Sequence, residues 1–351
     1  MTFARKLILS LILAAILLAA VIYLVGARET LQAARKVPLP AFALVGFVFF
    51  GVMALQASAW AALECHIGHR IPYRSLLAGT IVAMAGNVLT PSTHLGGEPG
   101  KILYAGRKTG LSYTDLTGTV LLCKYLEAMS FVLFLAFGTG WAVVGFRGVL
   151  FSPRNIVLGV AILVLTGTAM GLAALVWMAL RRKWTPLSGL IAGLARLGFR
   201  RAFFENLRER SLRVELQAAR IFREEGRAVF PAFCWYLLTH VAMFVRPYVF
   251  FLLAWNVRLD LADLGLIFLT SQILLGVQLT PSGMGTLDGG LLGVISLSGM
   301  PITAPQCMAF LLCVRFWDAV VVALGALLAA RAGMGLFRPQ AKESGGGFSE
   351  R

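Results

Sequence analysis

The chain of 351 residues contains too few charged side chains for a soluble protein of its length. Only 14% of its residues are charged and 58% are hydrophobic, whereas a typical soluble domain has about 25% charged residues. This composition predicts an all-α polytopic membrane protein. The net charge of +16 would indicate nucleic-acid binding in a soluble chain, but in a membrane protein such an excess lies in cytoplasmic loops. We therefore predict anionic membrane lipids as partners, and no nucleic acid.

Apolar segments taken in chain order predict six full membrane spans. The first, residues 7–25, follows Arg5 and Lys6 and is too long for the hydrophobic part of a cleaved signal peptide, so we expect it to remain as a signal anchor. The other segments of full length are residues 42–63, 116–137, 156–180, 229–255 and 306–330. Each is long enough to cross the hydrocarbon core as a helix.

Three further apolar segments are too short to cross. Residues 76–89, 264–279 and 287–297 fall below the roughly 20 residues that a span needs. They adjoin two Thr-Pro-Ser sequences, where proline and glycine interrupt a helix. The pattern predicts two re-entrant hairpins, each made of two half-helices.

The two Thr-Pro-Ser sequences belong to a longer repeat. In each copy an acid lies seven positions after the proline, Glu98 in the first and Asp288 in the second. A base and an acid spaced i and i+3 then follow inside an apolar segment, and these pairs are Lys124 with Glu127 and Arg315 with Asp318. The recurrence predicts two halves built alike around one site.

The distribution of basic residues predicts that the repeats are inverted. Residues 181–227 hold 12 Lys/Arg against 5 Asp/Glu, and two hairpins with six spans place this segment in the cytoplasm, as the positive-inside rule requires. The predicted divisions are a signal anchor with the first external loop (1–40), a first repeat with an extra span (41–180), a basic cytoplasmic amphipathic connector (181–227), a second, inverted repeat (228–335) and a disordered tail (336–351).

The hairpin tips contain the residues that end one half-helix and start the next. The predicted tip residues are Asn87, Thr90, Pro91, Ser92, Gly96 and Gly97 in the first half and Thr280, Pro281, Ser282, Gly283 and Gly285 in the second. Glu98 and Asp288 fall at the start of the returning half-helices. Each acid can serve as a cap of the helix dipole or as a carboxylate that binds a proton or a lipid headgroup.

The basic residues inside the membrane allow two interpretations. Lys124 and Arg315 can neutralise Glu127 and Asp318 as structural ion pairs, or they can bind the phosphate of a lipid in transit. Arg246 favours the second interpretation, because it lies within an apolar span beside Pro247 and has no acidic neighbour on its own helix. Guanidinium groups bind phosphate in a bidentate manner.

The tip sequences, Asn87 to Pro91 with Gly96-Gly97-Glu98 and then Lys101, and Pro281 to Gly285 ending in Asp288, resemble a flippase-like integral membrane family related to the membrane domain of lysylphosphatidylglycerol synthases. The resemblance spans about residues 42–330. It implies a protein that handles lipids. Ser282 and Asp288 stand where that family usually has glycine and glutamate. About 20 residues follow the last span, so we expect no aminoacyl-transfer domain and no synthesis of aminoacyl lipid by this chain alone.

Three functions follow as hypotheses. The leading one is a flippase-like transporter of the bacterial inner membrane, with both termini in the cytoplasm, that moves an anionic or glycosylated lipid between leaflets. The alternatives are an intramembrane lipid-modifying transferase and a non-catalytic partner of a lipid-modifying enzyme. The sequence indicates no cofactor and no metal site, because His66, His69 and Cys65 form an incomplete ligand set.

Overall fold

The structure is a computed structural model that describes residues 3–90, 96–153, 155–182, 185–196, 201–224, 226–276 and 280–334. These residues are almost entirely helical, and none of them forms a strand. Five helices are long and apolar enough to cross a membrane, and a bent pair near the amino terminus brings the number to six if the pair counts as one span. The prediction of an all-α polytopic membrane protein is confirmed.

The helices of the first half follow the predicted segments closely. In chain order they are α1 (Phe3–Val25), α2 (Ala27–Arg35), α3 (Leu39–His66), α4 (Tyr73–Leu89), α5 (Glu98–Thr109), α6 (Tyr113–Gly145), α7 (Arg147–Leu150) and α8 (Ile156–Arg182). The chain bends by 89° between α1 and α2, at Gly26, which has a φ of 99°. The segment predicted as the first external loop therefore contains a helix.

The connector and the second half add six more helices. They are α9 (Pro186–Arg196), α10 (Arg201–Glu224), α11 (Gly226–Trp255), α12 (Leu261–Gly276), α13 (Thr286–Ser298) and α14 (Ala304–Arg331), with a short 3-10 turn at Pro281–Gly283 between α12 and α13. The helix α10 packs against α6, α8, α9 and α11.

Two pairs of short helices form hairpins. In the first, a Cβ atom added to Gly86 of α4 would lie 2.7 Å from the Cα atom of Gly97, and one added to Gly79 would lie 3.5 Å from the carbonyl oxygen of Lys101. The contacts run in opposite directions along the two helices, so α4 and α5 are antiparallel. In the second hairpin, a Cβ atom on Gly290 of α13 would lie 2.5 Å from Leu274 of α12.

Each hairpin packs against the helix that follows the other hairpin. The helix α4 lies along α14, α12 lies along α6, and α3 lies along α11. If each helix from α3 to α6 is replaced by its counterpart from α11 to α14 and the reverse, the same three pairs result. As a result, α6 and α14, which follow the two tips, each contact both hairpins.

Small residues permit the close approach of hairpin and partner helix. A Cβ atom on Gly265 of α12 would lie 2.5 Å from the carbonyl oxygen of Gly138 on α6. At the corresponding contact a Cβ atom on Gly325 of α14 would overlap Ala85 of α4. Membrane helices associate mainly through such close backbone packing, since lipid offers no hydrophobic drive for helix association.

Candidate functional site with two acid-base clusters

The first cluster joins the base of α6 to the acid at the first tip. The ammonium of Lys124 lies 2.7 Å from an oxygen of Glu98 and 2.8 Å from an oxygen of Glu127. The side-chain amide of Gln56, on α3, donates to Glu127 over 3.2 Å. One lysine therefore bridges two carboxylates that the sequence pattern places in different helices.

The second cluster repeats this arrangement. One terminal nitrogen of Arg315 lies 2.9 Å from Asp288 and the other lies 3.1 Å from Asp318. The second nitrogen also donates to the backbone carbonyl and to the hydroxyl of Ser282, each over 3.0 Å. The Ser282 hydroxyl in turn donates to Asp318 over 2.9 Å. The guanidinium of Arg315 thus binds Ser282 and Asp288 of the second hairpin and Asp318 of its own helix.

The two tip acids differ in their capping role. Asp288 accepts a hydrogen bond of 2.7 Å from the backbone N–H of Gly285, so it caps α13 while it also holds Arg315. Within the described residues Glu98 makes no capping bond, and its Oε2 is buried without a hydrogen-bond partner there. Asn87 accepts from the backbone N–H of Gly97 over 2.8 Å, which satisfies a donor at the start of α5.

Several of the predicted tip residues form the turns or bond to their backbone. The hydroxyl of Thr280 donates to the Met284 carbonyl over 2.7 Å and that of Thr90 to the Gly86 carbonyl over 2.7 Å. Ser282 has a φ of 52°, in the left-handed region that is costly for a residue other than glycine. Pro281, Gly283 and Gly96 form the turns themselves, whereas Pro91 and Ser92 lie outside the described residues.

The two clusters differ in exposure. The side chain of Lys124 is 20% exposed and that of Arg315 is 9% exposed. In the second half Asp288 is fully buried, and a Cβ atom on Gly285 would overlap Leu17 of α1. The amino-terminal helix therefore covers the second tip, while the first cluster remains the more accessible of the two.

The first cluster borders a small cavity of about 20 Å³ between α3, the first hairpin, α6 and α11. This volume is enough for about one water molecule. The polar side chains that line it are Gln56, Thr80, Asn87, Glu98, Lys101, Lys124, Glu127 and Tyr236.

Two cations near the clusters have no ion-pair partner among the described residues. The Nε of Arg246 is buried without a hydrogen bond, and its guanidinium carbon lies 5.5 Å from the centre of the Phe310 ring. It lies in the electrostatic range of Asp318 and Arg315. In the first half, the ammonium of Lys101 lies 4.5 Å from the centre of the Trp60 ring. Each half thus holds one bridging cation and one unpaired cation beside an aromatic ring.

The unpaired cations occupy different positions in the repeat. The spacing that relates Glu98 to Asp288 also relates Gln56 to Arg246 and Lys101 to Leu291. Gln56 contacts Glu127, and Arg246 lies close enough to the matching acid, Asp318, for the two charges to interact. Each cluster contains two acids and two bases, but the second base comes from the hairpin in one half and from α11 in the other.

A buried network at the end of α3 was not predicted from the sequence. Glu64 is 1% exposed and accepts hydrogen bonds from the Trp60 indole, over 2.7 Å, and from the Thr119 hydroxyl. Its other oxygen lies 2.6 Å from Nδ1 of His69. The available signal was a glutamate within the apolar segment of α3, five residues before that histidine. The hydrogen bond from the Trp60 indole to Glu64 holds in place the Trp60 ring that Lys101 contacts.

These features define a polytopic helical membrane protein with two matching hairpins and an acid-base cluster at each tip, half-buried in the first half and buried in the second. Residues 7–325 match the family described as Lysylphosphatidylglycerol synthase TM region, and the chain belongs to this family. A UPF0104 membrane protein from Methanothermobacter thermautotrophicus is 26% identical over 314 residues, which cover 88% of this chain and 90% of that protein. No solved structure matches the chain. The family resemblance expected from the tip sequences is confirmed, and it connects the protein to a lipid-related membrane family.

Proposed function

We propose that the protein moves an anionic or glycosylated lipid between the leaflets of the bacterial inner membrane. The observation that carries this proposal is Arg246, a cation inside a membrane helix that has no ion-pair partner among the described residues. Charged side chains in transmembrane segments are costly and usually face another charge, a water-filled path or a ligand. A lipid phosphate supplies the missing anion, since guanidinium binds phosphate through parallel hydrogen bonds.

The bridging cations have a different role in this proposal. Lys124 and Arg315 hold the tip acids, Glu98 and Asp288, to the acids of the following helices, Glu127 and Asp318. Breaking these pairs frees a hairpin from its helix. The bridges therefore act as closures of the two hairpins, and their bases become available to a headgroup phosphate only when a hairpin moves.

The exchange-symmetric packing supports a transporter with inverted repeats. In such transporters broken helices from the two halves meet near the middle of the membrane, and alternating movements of the halves open the site to each side. The first cluster is the more exposed one and the second is covered by α1. In our proposal the first hairpin enters from the cytoplasm and the second from outside, with both termini in the cytoplasm.

The proposal is tested by lipid copurification and by lipid movement in proteoliposomes. We compare the wild type with the Arg246→Ala variant and with the Arg246→Ala, Arg315→Ala double variant. Arg258→Ala is the matched control, since Arg258 is exposed and lies three residues after the end of the same helix, α11. Movement is followed with a fluorescent anionic glycerophospholipid and its phosphocholine counterpart, as the fraction of probe that an impermeant quencher reaches.

The expected result is movement of the anionic probe by the wild type and by the Arg258 control. We expect movement to fall at least about tenfold in Arg246→Ala, because a charge-assisted contact contributes roughly 1.5–3 kcal/mol. Equal lipid profiles and equal movement for all variants would contradict the proposal. They would favour the role of a non-catalytic partner of a lipid-modifying enzyme, with the basic connector as its docking surface.

A further inference from the structure

Lys101 is a buried lysine without a carboxylate partner. It lies on α5, one turn after Glu98, and only 4% of its surface is exposed. Within the described part of the chain it forms no ion pair, and its one recorded polar contact is with the face of the Trp60 ring, 4.5 Å from the ring centre. Its side chain lines the same cavity as Glu98, Lys124 and Glu127.

The fold itself does not need a cation at this position. The matching position in the second half is Leu291, which is 2% exposed and packs in the apolar core. The matching backbone in the second hairpin therefore accommodates an apolar side chain. Burying an ammonium costs free energy unless an anion or a hydrogen bond compensates for it, and a cation–π contact recovers only roughly 0.5–2 kcal/mol. The free-energy cost of burying Lys101 is therefore not offset by an ion pair among the described residues.

The position of Lys101 parallels that of Arg246. Each lies beside a cluster in which another base already bridges both acids, and each lies over an aromatic ring, Trp60 or Phe310. Lys124 is shared between two carboxylates. Among the described residues that line the first cavity, Lys101 is therefore the cation that remains available to an incoming anion.

We propose that Lys101 is the anion-binding residue of the first half and that it receives a phosphate group. This inference rests on the proposed function, in which Arg246 serves the second half, and it gives the transported lipid a second binding station. The lipid class that fits is one whose headgroup carries phosphate, since a phosphodiester bears one negative charge and Lys101 supplies one positive charge that no carboxylate among the described residues pairs with.

A phosphate group does not fit the cavity in its present size, because about 20 Å³ holds only about one water molecule. Binding therefore requires the first hairpin to move away from α6, which separates Glu98 from Lys124. Lys101 moves with α5 and leaves the Trp60 ring. The fluorescence of Trp60 should change when this contact is lost.

The test compares Lys101→Met with Lys108→Met. Both substitutions remove one positive charge from α5, but Lys108 is exposed and lies outside the cavity. Two arms distinguish the source of the phosphate. Purified protein in neutral detergent is titrated with inorganic phosphate and with glycerol 1-phosphate, and protein in nanodiscs is titrated with an anionic glycerophospholipid. Binding is read from tryptophan fluorescence and from bound lipid measured by mass spectrometry.

The expected result is binding of the lipid by the wild type and by Lys108→Met, and at least about tenfold weaker binding by Lys101→Met, from the loss of one charge-assisted contact. In Trp60→Phe the fluorescence change should disappear while lipid binding remains. Response to the soluble phosphates as well would identify the phosphate alone as the ligand. Response to the lipid only would show that the tails contribute.

Lys101→Arg guards against a folding defect, because it keeps the cation and should keep binding. Equal binding by Lys101→Met and Lys108→Met would overturn the inference. Failure of the folded Lys101→Arg variant to bind the lipid would also overturn it, because that variant keeps the cation. If the wild type binds the lipid through Lys101 but does not move it between leaflets, the proposed transport function is wrong and the inferred binding site is supported. If the wild type moves lipid and Lys101→Met binds and moves it normally, only the present inference fails.

Discussion

Gln56 and Arg246 occupy matching positions in the two halves, and each lies near the matching acid of its own half. Gln56 donates to Glu127 over 3.2 Å, and Arg246 lies in the electrostatic range of Asp318. A neutral amide on α3 is thus replaced by a guanidinium on α11. In both halves a base joins the hairpin to the following helix, but the cation without an ion-pair partner among the described residues lies on α5 in the first half and on α11 in the second. Substitutions at Lys101 and Arg246 can therefore test the two halves one at a time.

The topology of the hairpins can be tested by cysteine labelling. In a background that lacks the exposed native Cys65, we introduce Lys108→Cys at the base of the first hairpin and Pro301→Cys at the base of the second, both at exposed positions. Inverted repeats place these sites on opposite sides of the membrane. An impermeant thiol reagent added to intact cells should label Pro301→Cys only. Labelling of both sites from outside would contradict the inversion.

The bridging bases should differ in their effect on stability. Arg315→Met leaves Asp288 and Asp318 buried without their cation, and we expect the free energy of unfolding to fall by about 3–5 kcal/mol. Lys124→Met should cost less, about 1–3 kcal/mol, because Lys124 is more exposed than Arg315. The measurement is thermal unfolding in detergent. Adding Asp288→Asn and Asp318→Asn to Arg315→Met should recover part of the loss, and the account is wrong if Lys124→Met is the more damaging change.

The contact between the second hairpin and α6 should not accept a side chain. Gly265→Ala places a methyl group 2.5 Å from the Gly138 carbonyl oxygen, and overpacking of this kind costs about 1–3 kcal/mol. Gly140→Ala is the control, since a Cβ atom there meets nothing within 4 Å. Thermal unfolding should separate the two variants, and equal midpoints would show that α12 is not seated against α6 as described.

The network around Glu64 should stabilise the end of α3. Glu64→Leu leaves the Trp60 indole and the Thr119 hydroxyl without their acceptor, which should lower the free energy of unfolding by about 2–3 kcal/mol. Glu64→Gln keeps an acceptor oxygen and loses only the charge that faces His69, so we expect a smaller loss of about 1 kcal/mol. Equal losses for the two variants would indicate that the charge of Glu64, which both variants remove, and not its hydrogen bonds stabilises this region.

The sequence was sufficient to predict features that depend on residues close together in the chain, such as helix ends and ion pairs within one helix. The half-helix predicted at residues 76–89 ends where α4 ends, and the predicted start at Glu98 is the first residue of α5. The i, i+3 pairs on α6 and α14 form as expected, because that spacing places both residues on one helix face.

Features that depend on how the helices pack against one another could not be predicted from the sequence. The bridge from Lys124 to Glu98 joins α6 to the hairpin and needs the tertiary fold. Lys101 follows Glu98 by one turn, but only packing shows that it is buried against Trp60. The match of Gln56 with Arg246 was hidden because the two side chains differ in charge. The bend at Gly26 and the helix that follows it were also missed, since an amphipathic helix of nine residues gives a weak signal within a polar loop.

The mutual packing of the hairpins has a consequence for the origin of such a chain. Because α4 rests on α14 and α12 rests on α6, neither half provides the surface that its own hairpin needs. A shorter ancestral polypeptide with a single hairpin would have been incomplete until it associated with a second copy of itself. Gene duplication would then have been needed before the two copies could differ in charge, as Gln56 and Arg246 do.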